Sequence, residues 1–289
     1  MTGSVVSDPP FHRLAIVGLG LIGGSIAFAA RKAWPSVHVV GIDRQPILDE
    51  AIARRAIHDA GQEPAAVAGA DLIVLAAPVL QNLALLKAVV PHAGGAVITD
   101  VGSTKRGIMS AAESLGDDVV FVGGHPLGGG ARGGFEFATA AIFTRRPWIL
   151  TPNRSTPANA TSRLFAFTRG LGAVPSTMTA ADHDRLLAFL SHLPQLTVSA
   201  LMQVVGSAAT GKELTLAGQG LVDSTRLASS PASVWRDVCA TNADAIGGAL
   251  DQLIERLTEL RANLEQGDAI ERVFDDAARW RAELMRTRE

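Results

Sequence analysis

VGLGLIGG occupies residues 17–24, and Gly18, Gly20 and Gly23 form the pattern GxGxxG within it. An apolar run precedes the motif and a helix-like segment follows it, which predicts a strand, a tight turn and a helix. Gly18 permits the turn, Gly20 lets the backbone approach a diphosphate, and Gly23 lets the helix pack closely against the strand. The motif therefore predicts a dinucleotide-binding domain.

A carboxylate follows the second predicted strand at the position that this cofactor requires. Residues 37–42 are apolar and end at Asp43, twenty residues after the third glycine, where a carboxylate hydrogen-bonds the adenosine ribose. The backbone N–H groups of Leu21 and Ile22, in the first turn of the helix, are expected to hold the diphosphate. Asp43 would repel a 2′-phosphate and so favours NAD, while the neighbouring Arg44 leaves NADP open.

Two further loops follow predicted strands. Residues 72–76 run into Ala77 and Pro78, and residues 96–100 run into a loop that contains Gly102. Open α/β sheets bind ligands at the carboxyl ends of their strands. We therefore expect these loops to contact the nicotinamide.

A histidine lies at the end of another predicted strand. GGHPLGGG, residues 123–130, contains His125, and Ser103 shares the same predicted edge of the sheet. A histidine before a glycine-rich loop is in many proteins only a turn residue. Its position beside the cofactor favours a chemical role, since a neutral imidazole accepts a proton near physiological pH.

The order of apolar runs predicts an α/β fold with two domains. Short apolar runs alternate with helix-like segments up to about Met178, as in a parallel sheet with crossover helices. The predicted strands are residues 14–17, 37–42, 72–76, 96–100, 119–123 and 148–151. Beyond them the pattern is helical. We predict a Rossmann-type dinucleotide-binding domain over residues 11–178 and an all-α substrate and dimerisation domain over residues 179–289.

The helical part carries more apolar surface than a small domain hides. Leucines repeat at steps of three and four from Leu250 to Leu264, and no charge occurs between Arg185 and Lys212. The uncharged stretch is long enough to span a bilayer, but its polar side chains would be unsatisfied in lipid. We predict that it forms a helix buried inside protein, and that the chain forms a homodimer through this domain.

Composition excludes several classes of protein. The net charge is −2 without a run of like charges, which argues against nucleic-acid binding. The single cysteine, Cys239, has no metal-ligand spacing around it and fits a reducing cytoplasm. The first ten residues lack a basic start and an apolar core, so we expect a short lead-in and no signal peptide. We predict a cytoplasmic protein without a metal or a membrane anchor.

Several longer motifs occur together in this chain: GLGLIGGS, DLIVLAAPV, ITDVGSTK, GGHPLGGG, HDRLLAFLSHLPQ and VWRD. In this order and spacing, the sequence resembles the prephenate and arogenate dehydrogenases. The resemblance implies a dinucleotide domain followed by a helical dimerisation domain. It also implies that the protein oxidises and decarboxylates a cyclohexadienyl acid to a phenolic product, with hydride transfer to NAD, in tyrosine biosynthesis. Prephenate is the first candidate substrate.

The resemblance assigns roles to three residues. His125 matches the catalytic histidine, which accepts a hydrogen bond from the ring C4 hydroxyl of the substrate. Ser103 matches a serine that hydrogen-bonds this histidine and the same hydroxyl. Arg226 matches an arginine that binds a substrate carboxylate, for which a planar guanidinium is suited.

Other side chains have two interpretations. His183, His192 and Gln195 match positions near the substrate, but each histidine could equally be satisfied at a helix interface. Trp235 is expected to pack. Lys105 could touch the cofactor, although a solvated lysine in the first helical turn is the expectation.

The glycine-rich loop departs from the family, which usually has HPxAG, then Thr or Ser, then Glu. Here Gly128, Gly130 and Ala131 stand at the Ala, Thr/Ser and Glu positions. This leaves prephenate, arogenate and a 4-amino analogue of prephenate open as substrates. Two other functions also stay open: a β-hydroxyacid dehydrogenase, although Lys212 lacks the surroundings of that family's lysine, and a non-catalytic NAD-sensing module.

Overall fold

The structure is a computed structural model and describes residues 8–129 and 132–287. Its strands are β1 Arg13–Val17, β2 His38–Ile42, β3 Asp59–Gly61, β4 Leu72–Leu75, β5 Val97–Asp100, β6 Phe121–Pro126, β7 Pro147–Thr151 and β8 Val174–Thr177. Its α-helices are α1 Leu21–Ala33, α2 Gln45–Ala53, α3 Val79–Val89, α4 Arg106–Glu113, α5 Ala158–Gly170, α6 Ala180–Leu187, α7 Leu193–Ala208, α8 Gln219–Ser224, α9 Ala232–Thr241, α10 Ala243–Ala262 and α11 Gly267–Arg286. Contacts divide the chain into one compact unit up to Ala243 and a second from Asp244.

All eight strands form one sheet, in the order β3-β2-β1-β4-β5-β6-β7-β8. The chain adds β2 and β3 on one side of β1 and then returns to add β4 on the other side. Ligands bind such sheets where the strand order reverses, at the carboxyl ends of the strands. That point lies between β1 and β4, directly beyond the glycine motif.

Both faces of the sheet are buried. Leu14 and Ile16 of β1 pack in a cluster with Ile26 of α1, whereas Ala15 packs in a second cluster with Leu86 of α3. Alternate side chains of one strand therefore enter two separate cores. This is why the strands are continuous apolar runs in the sequence.

The predicted fold class is confirmed, with three differences in the sheet. β3 and β8 were not predicted, because β3 is only three residues long and β8, with the sequence VPST, lacks a buried residue. β6 extends to Pro126, so His125 lies inside the strand and pairs with Ile149. The sheet is parallel only from β1 to β6, since β7 runs antiparallel to β6 and β8 follows the direction of β7.

One long helix begins the helical region. A π-helical turn, Ala188–His192, joins α6 and α7 into a continuous helix over Ala180–Ala208. Length and composition alone would let this helix span a membrane. The prediction that it is buried inside protein is wrong for the single chain: Leu190 is 68% exposed and Val204 is 67% exposed. An apolar face of this helix is thus uncovered in one copy of the chain.

The predicted leucine stripe lies on α10 and just beyond its end. Together with α11 it lines a groove inside the second compact unit, where Leu253 and Leu257 face Ile270 and Val273. Other apolar side chains of this unit are exposed, among them Leu264, at 63%, and Trp280. The domain boundary at residue 178 stays a prediction.

Candidate active site

The glycine turn has no room for side chains on its protein side. Gly18 has a φ of +96°, and a Cβ there would lie 2.8 Å from the carbonyl carbon of Ala76. A Cβ on Gly23 would overlap the carbonyl oxygen of Gly18. A Cβ on Gly20 would meet nothing within 4 Å. The turn is closed against the protein at two glycines and open at the third, as a bound diphosphate requires.

The beginning of α1 offers an anion site beside a fixed carboxylate. Leu21 is the first residue of α1, whose first turn contains no acidic side chain. The N–H groups of a first helical turn have no partner within the helix, and its positive end favours a diphosphate. Asp43 accepts hydrogen bonds of 2.7 Å from the backbone N–H groups of Leu19 and Arg44. These residues fit the diphosphate and adenosine ribose of a dinucleotide.

The loop after β4 is held by a buried asparagine that the sequence analysis missed. Asn82 accepts a hydrogen bond from the backbone N–H of Ala77 at 3.1 Å and donates one to the carbonyl oxygen of Leu75 at 3.2 Å. Asn82 lies inside α3, five residues after Ala77, and an asparagine within a helix is a signal of a side chain that bonds the backbone. It fixes Ala77 and Pro78 beside the glycine turn.

Lys105 is not solvated, so that expectation is wrong. Its side chain is fully buried and its ammonium donates to Asp100 at the end of β5. Asp100 also accepts from the backbone N–H groups of Gly102, at 2.8 Å, and Gly124, at 3.1 Å. Burial lowers the pKa of Lys105, and the Asp100 carboxylate opposes that shift. The pair ties the loop after β5 to β6.

His125 begins a chain of three hydrogen-bonded groups. Its Nδ1 lies 2.8 Å from Nε2 of His183, and Nδ1 of His183 lies 2.8 Å from the Asp184 carboxylate. Burial, followed by the nearby His183 and Lys105, lowers the pKa of His125 well below its usual value. His125 is therefore neutral at physiological pH and able to accept a proton.

Asp184 is a buried carboxylate that collects several donors. It accepts the backbone N–H groups of Lys105 at 2.7 Å and Arg106 at 2.9 Å, and the Arg106 guanidinium at 3.3 Å. Burial alone would raise the pKa of Asp184, but the hydrogen bonds from His183, Arg106 and Lys105 outweigh burial and lower it. The carboxylate is therefore ionised and acts only as an acceptor.

His183 and His192 are both buried and contact protein groups. Both ring nitrogens of His183 have partners, which leaves none for a substrate. Nδ1 of His192 lies 3.3 Å from the amide nitrogen of Asn242, and Trp235 packs edge-to-face on its ring. Burial, partly opposed by Asp184, lowers the pKa of His192 to about 4. This geometry favours the interface interpretation for both histidines.

Gln195 is occupied by the turn that carries Arg226. Its amide donates to the carbonyl oxygen of Leu227 at 2.8 Å and accepts from the Ser230 hydroxyl at 3.0 Å. Arg226 begins the one-turn helix Arg226–Ser229 and is exposed. Its guanidinium forms no ion pair within residues 8–129 and 132–287. It is available for an anionic ligand.

Ser103 is half-buried and is not joined to His125 by a hydrogen bond in the described part of the chain. His183 takes the place of the expected serine partner. Along the sheet edge, His125 on β6 lies three strands from β1, which is about 14 Å at the usual strand spacing. The strand order therefore puts the glycine turn, the loops with Ala77 and Ser103, and His125 on one edge.

The altered glycine loop is only partly described. Gly128 belongs to it, and a Cβ there would lie 3.1 Å from the carbonyl oxygen of Ile142. Gly130 and Ala131 lie outside the described residues.

Comparison with known proteins identifies two family domains in the chain. The profile described as "Prephenate dehydrogenase, nucleotide-binding domain" matches residues 26–176, and "Prephenate dehydrogenase, dimerization domain" matches residues 179–275. A prephenate dehydrogenase of Bacillus subtilis (strain 168) is 34% identical over 267 residues, which are 89% of this chain and 71% of the relative. A cyclohexadienyl dehydrogenase of Zymomonas mobilis is 29% identical over 95% of this chain and 96% of the relative.

A solved structure shares the fold along nearly the whole chain. The prephenate dehydrogenase of Aquifex aeolicus, in complex with hydroxyphenyl propionate and NAD+, superposes with a TM-score of 0.86 at 26% identity. The match covers 95% of this chain and 98% of the solved one.

The glycine turn yields a paired test. We expect Gly23→Ala to lower the free energy of unfolding by about 1–3 kcal/mol, because its methyl group overlaps backbone. Gly20→Ala should leave thermal unfolding unchanged and weaken NAD binding, because the added methyl occupies only the open side of the turn. Thermal unfolding and calorimetric NAD titration measure both effects. Unchanged NAD affinity in Gly20→Ala would mean that the diphosphate does not approach this turn.

Proposed function

Because the chain belongs to the prephenate dehydrogenase family, we propose that it oxidises and decarboxylates prephenate to 4-hydroxyphenylpyruvate with NAD, in aromatic amino acid biosynthesis. The observation that carries this proposal is His125, a neutral imidazole on the sheet edge that also holds the glycine turn. The cofactor choice rests on Asp43, whose carboxylate would repel a 2′-phosphate.

The chain's contribution to the chemistry is alignment and the handling of one proton. When bound, NAD supplies the acceptor for the hydride that leaves ring C4. His125 takes the C4 hydroxyl proton as that carbon becomes a carbonyl. Loss of the ring carboxylate as carbon dioxide returns its bonding electrons to the ring, and His125 gives the proton back to the phenol oxygen. The reaction has no net proton, so the base only has to be neutral and close.

The substrate carboxylates call for a cation near this histidine. Arg226 is exposed, its guanidinium forms no ion pair among the described residues, and Gln195 fixes its turn.

Arogenate is the second candidate substrate, and the name of the Zymomonas relative, cyclohexadienyl dehydrogenase, supports testing it. Carbon dioxide released in equal amount to reduced cofactor would separate this chemistry from simple hydroxyacid oxidation. NAD binding without turnover of either acid would indicate a sensing module.

We also propose that the chain forms a homodimer through its helical region. The exposed apolar side chains of α7, together with the match to a dimerisation domain, support an interface there. Apolar faces of this kind are usually covered by a second copy of the same chain.

Removing the base tests the catalytic assignment. His125→Asn should lower kcat by about 10²- to 10⁴-fold with NAD affinity near normal, because asparagine keeps polarity but cannot take the proton. Steady-state kinetics with prephenate and arogenate measure it. His92→Asn, at an exposed histidine, is the matched control and should retain full activity. Turnover that survives in His125→Asn would contradict the assignment.

Removing the guanidinium tests substrate binding. Arg226→Ala should raise KM about 10- to 100-fold while kcat changes little, because a charge-assisted hydrogen bond to a carboxylate is lost. The same kinetics with Arg154→Ala serve as control, since Arg154 is exposed beyond β7, at the opposite edge of the sheet. An unchanged KM in Arg226→Ala would exclude Arg226 from the substrate site.

A charge on α7 tests the dimer. The wild type should sediment as two 30.1 kDa chains, and Val204→Glu should sediment as one, since burying an unpaired carboxylate at an apolar interface is costly. Ala84→Glu, on the exposed surface of α3, should remain dimeric. A monomeric wild type would exclude the homodimer. A dimeric Val204→Glu variant would place the interface elsewhere.

A further inference from the structure

We propose that His183 and Asp184 fix the tautomer of His125, so that its proton lies on Nδ1 and the lone pair of Nε2 faces the substrate. The inference rests on the proposed function for its role in catalysis. The tautomer itself depends only on the three linked side chains. His183 and Asp184 are positioning residues in this arrangement, because neither has to touch the substrate.

The assignment begins at Asp184, which can only accept. Its two oxygens already receive the backbone N–H groups of Lys105 and Arg106 and the Arg106 guanidinium. A carboxylate surrounded by donors stays ionised. The ring nitrogen of His183 that lies 2.8 Å from this carboxylate must therefore carry a proton, since two lone pairs at that distance repel.

The proton on Nδ1 of His183 decides the next hydrogen bond. A neutral His183 then has a lone pair on Nε2, which lies 2.8 Å from Nδ1 of His125. His125 must donate across this contact, so its own proton lies on Nδ1. Nε2 of His125 is left unprotonated. It is the nitrogen that can accept a proton from a hydroxyl group.

Burial makes this order persistent. His183 and Asp184 are both fully buried, so water cannot replace either partner, and breaking a hydrogen bond there leaves an unsatisfied group. The carboxylate of Asp184, on α6, also lies against the N-terminal end of α4, where the helix dipole favours a negative charge. When His125 takes a proton, its Nδ1–H still points at His183 and the carboxylate behind it. His183 and Asp184 thus stabilise the protonated form of His125, which burial disfavours.

The ring nitrogens of the free enzyme provide the test. Nitrogen-15 labelled histidine, observed by two-dimensional NMR at neutral pH, distinguishes a protonated from an unprotonated ring nitrogen. The seven histidines make the spectrum tractable, and His125→Asn identifies the signals of His125 by their loss. We expect Nδ1 of His125 to be protonated and Nε2 to be unprotonated in the wild type. A proton on Nε2 in the wild type would overturn the proposal.

Variants then show what sets the tautomer. His183→Phe keeps a ring of similar size but offers no acceptor, so His125 should move to the Nε2–H form and kcat should fall about 10²- to 10⁴-fold. KM should change little, because substrate contacts remain. Asp184→Asn should also shift His125 toward the Nε2–H form and lower kcat. Asp182→Asn, two residues away and exposed on α6, is the matched control and should leave both the tautomer and kcat unchanged.

The outcomes separate this proposal from the proposed function. Circular dichroism and NAD titration verify that each variant folds, and the wild-type spectrum decides the question even if the variants do not. The expected tautomer with no turnover of prephenate or arogenate would contradict the function alone. Turnover with the Nε2–H tautomer, or a His183→Phe variant whose His125 keeps its proton on Nδ1, would contradict the positioning role alone.

Discussion

The Asp184 carboxylate is the group on which the rest of the site depends. It lies on α6 and accepts the backbone N–H groups of Lys105 and Arg106, at the beginning of α4, and the ring N–H of His183. It therefore joins the helical region to the loop after β5. A buried charge is tolerated only with enough donors, and losing it would leave those donors without acceptors. The contact therefore fixes the long helix against the sheet and aligns His183 with His125.

A second buried carboxylate, Asp100, joins neighbouring elements within the sheet. Asp100 accepts from Lys105 and Gly102, in the loop after β5, and from Gly124 on β6. Lys105 thus provides its ammonium to one carboxylate and its backbone N–H to the other. Asp100 and Asp184, which are far apart in the sequence, are linked through Lys105, and this couples the loop after β5 to the hydrogen-bonded groups His183 and His125.

Local patterns predicted the sheet well, whereas tertiary contacts decided what they missed. The glycine turn and Asp43 were predictable because their chemistry is set by neighbouring residues and strand ends. The burial of Lys105 was not predictable, because Thr-Lys-Arg at a helix start looks solvated and Asp184, which accepts the backbone N–H of Lys105, lies 79 residues away. The exposed face of α7 was mistaken for a buried one, since an apolar pattern shows that a surface needs a cover without showing which chain provides it.

The two glycines before His125 explain why this histidine is held so firmly. A Cβ on Gly124 would lie 2.6 Å from the carbonyl oxygen of Asp100, and a Cβ on Gly123 would overlap the Thr151 hydroxyl. Their absence of side chains lets β6 lie close to β5 while it pairs antiparallel with β7. The imidazole therefore stands on a strand held from both sides rather than on a loop. A base built on such a rigid element needs little reorganisation when it takes its proton.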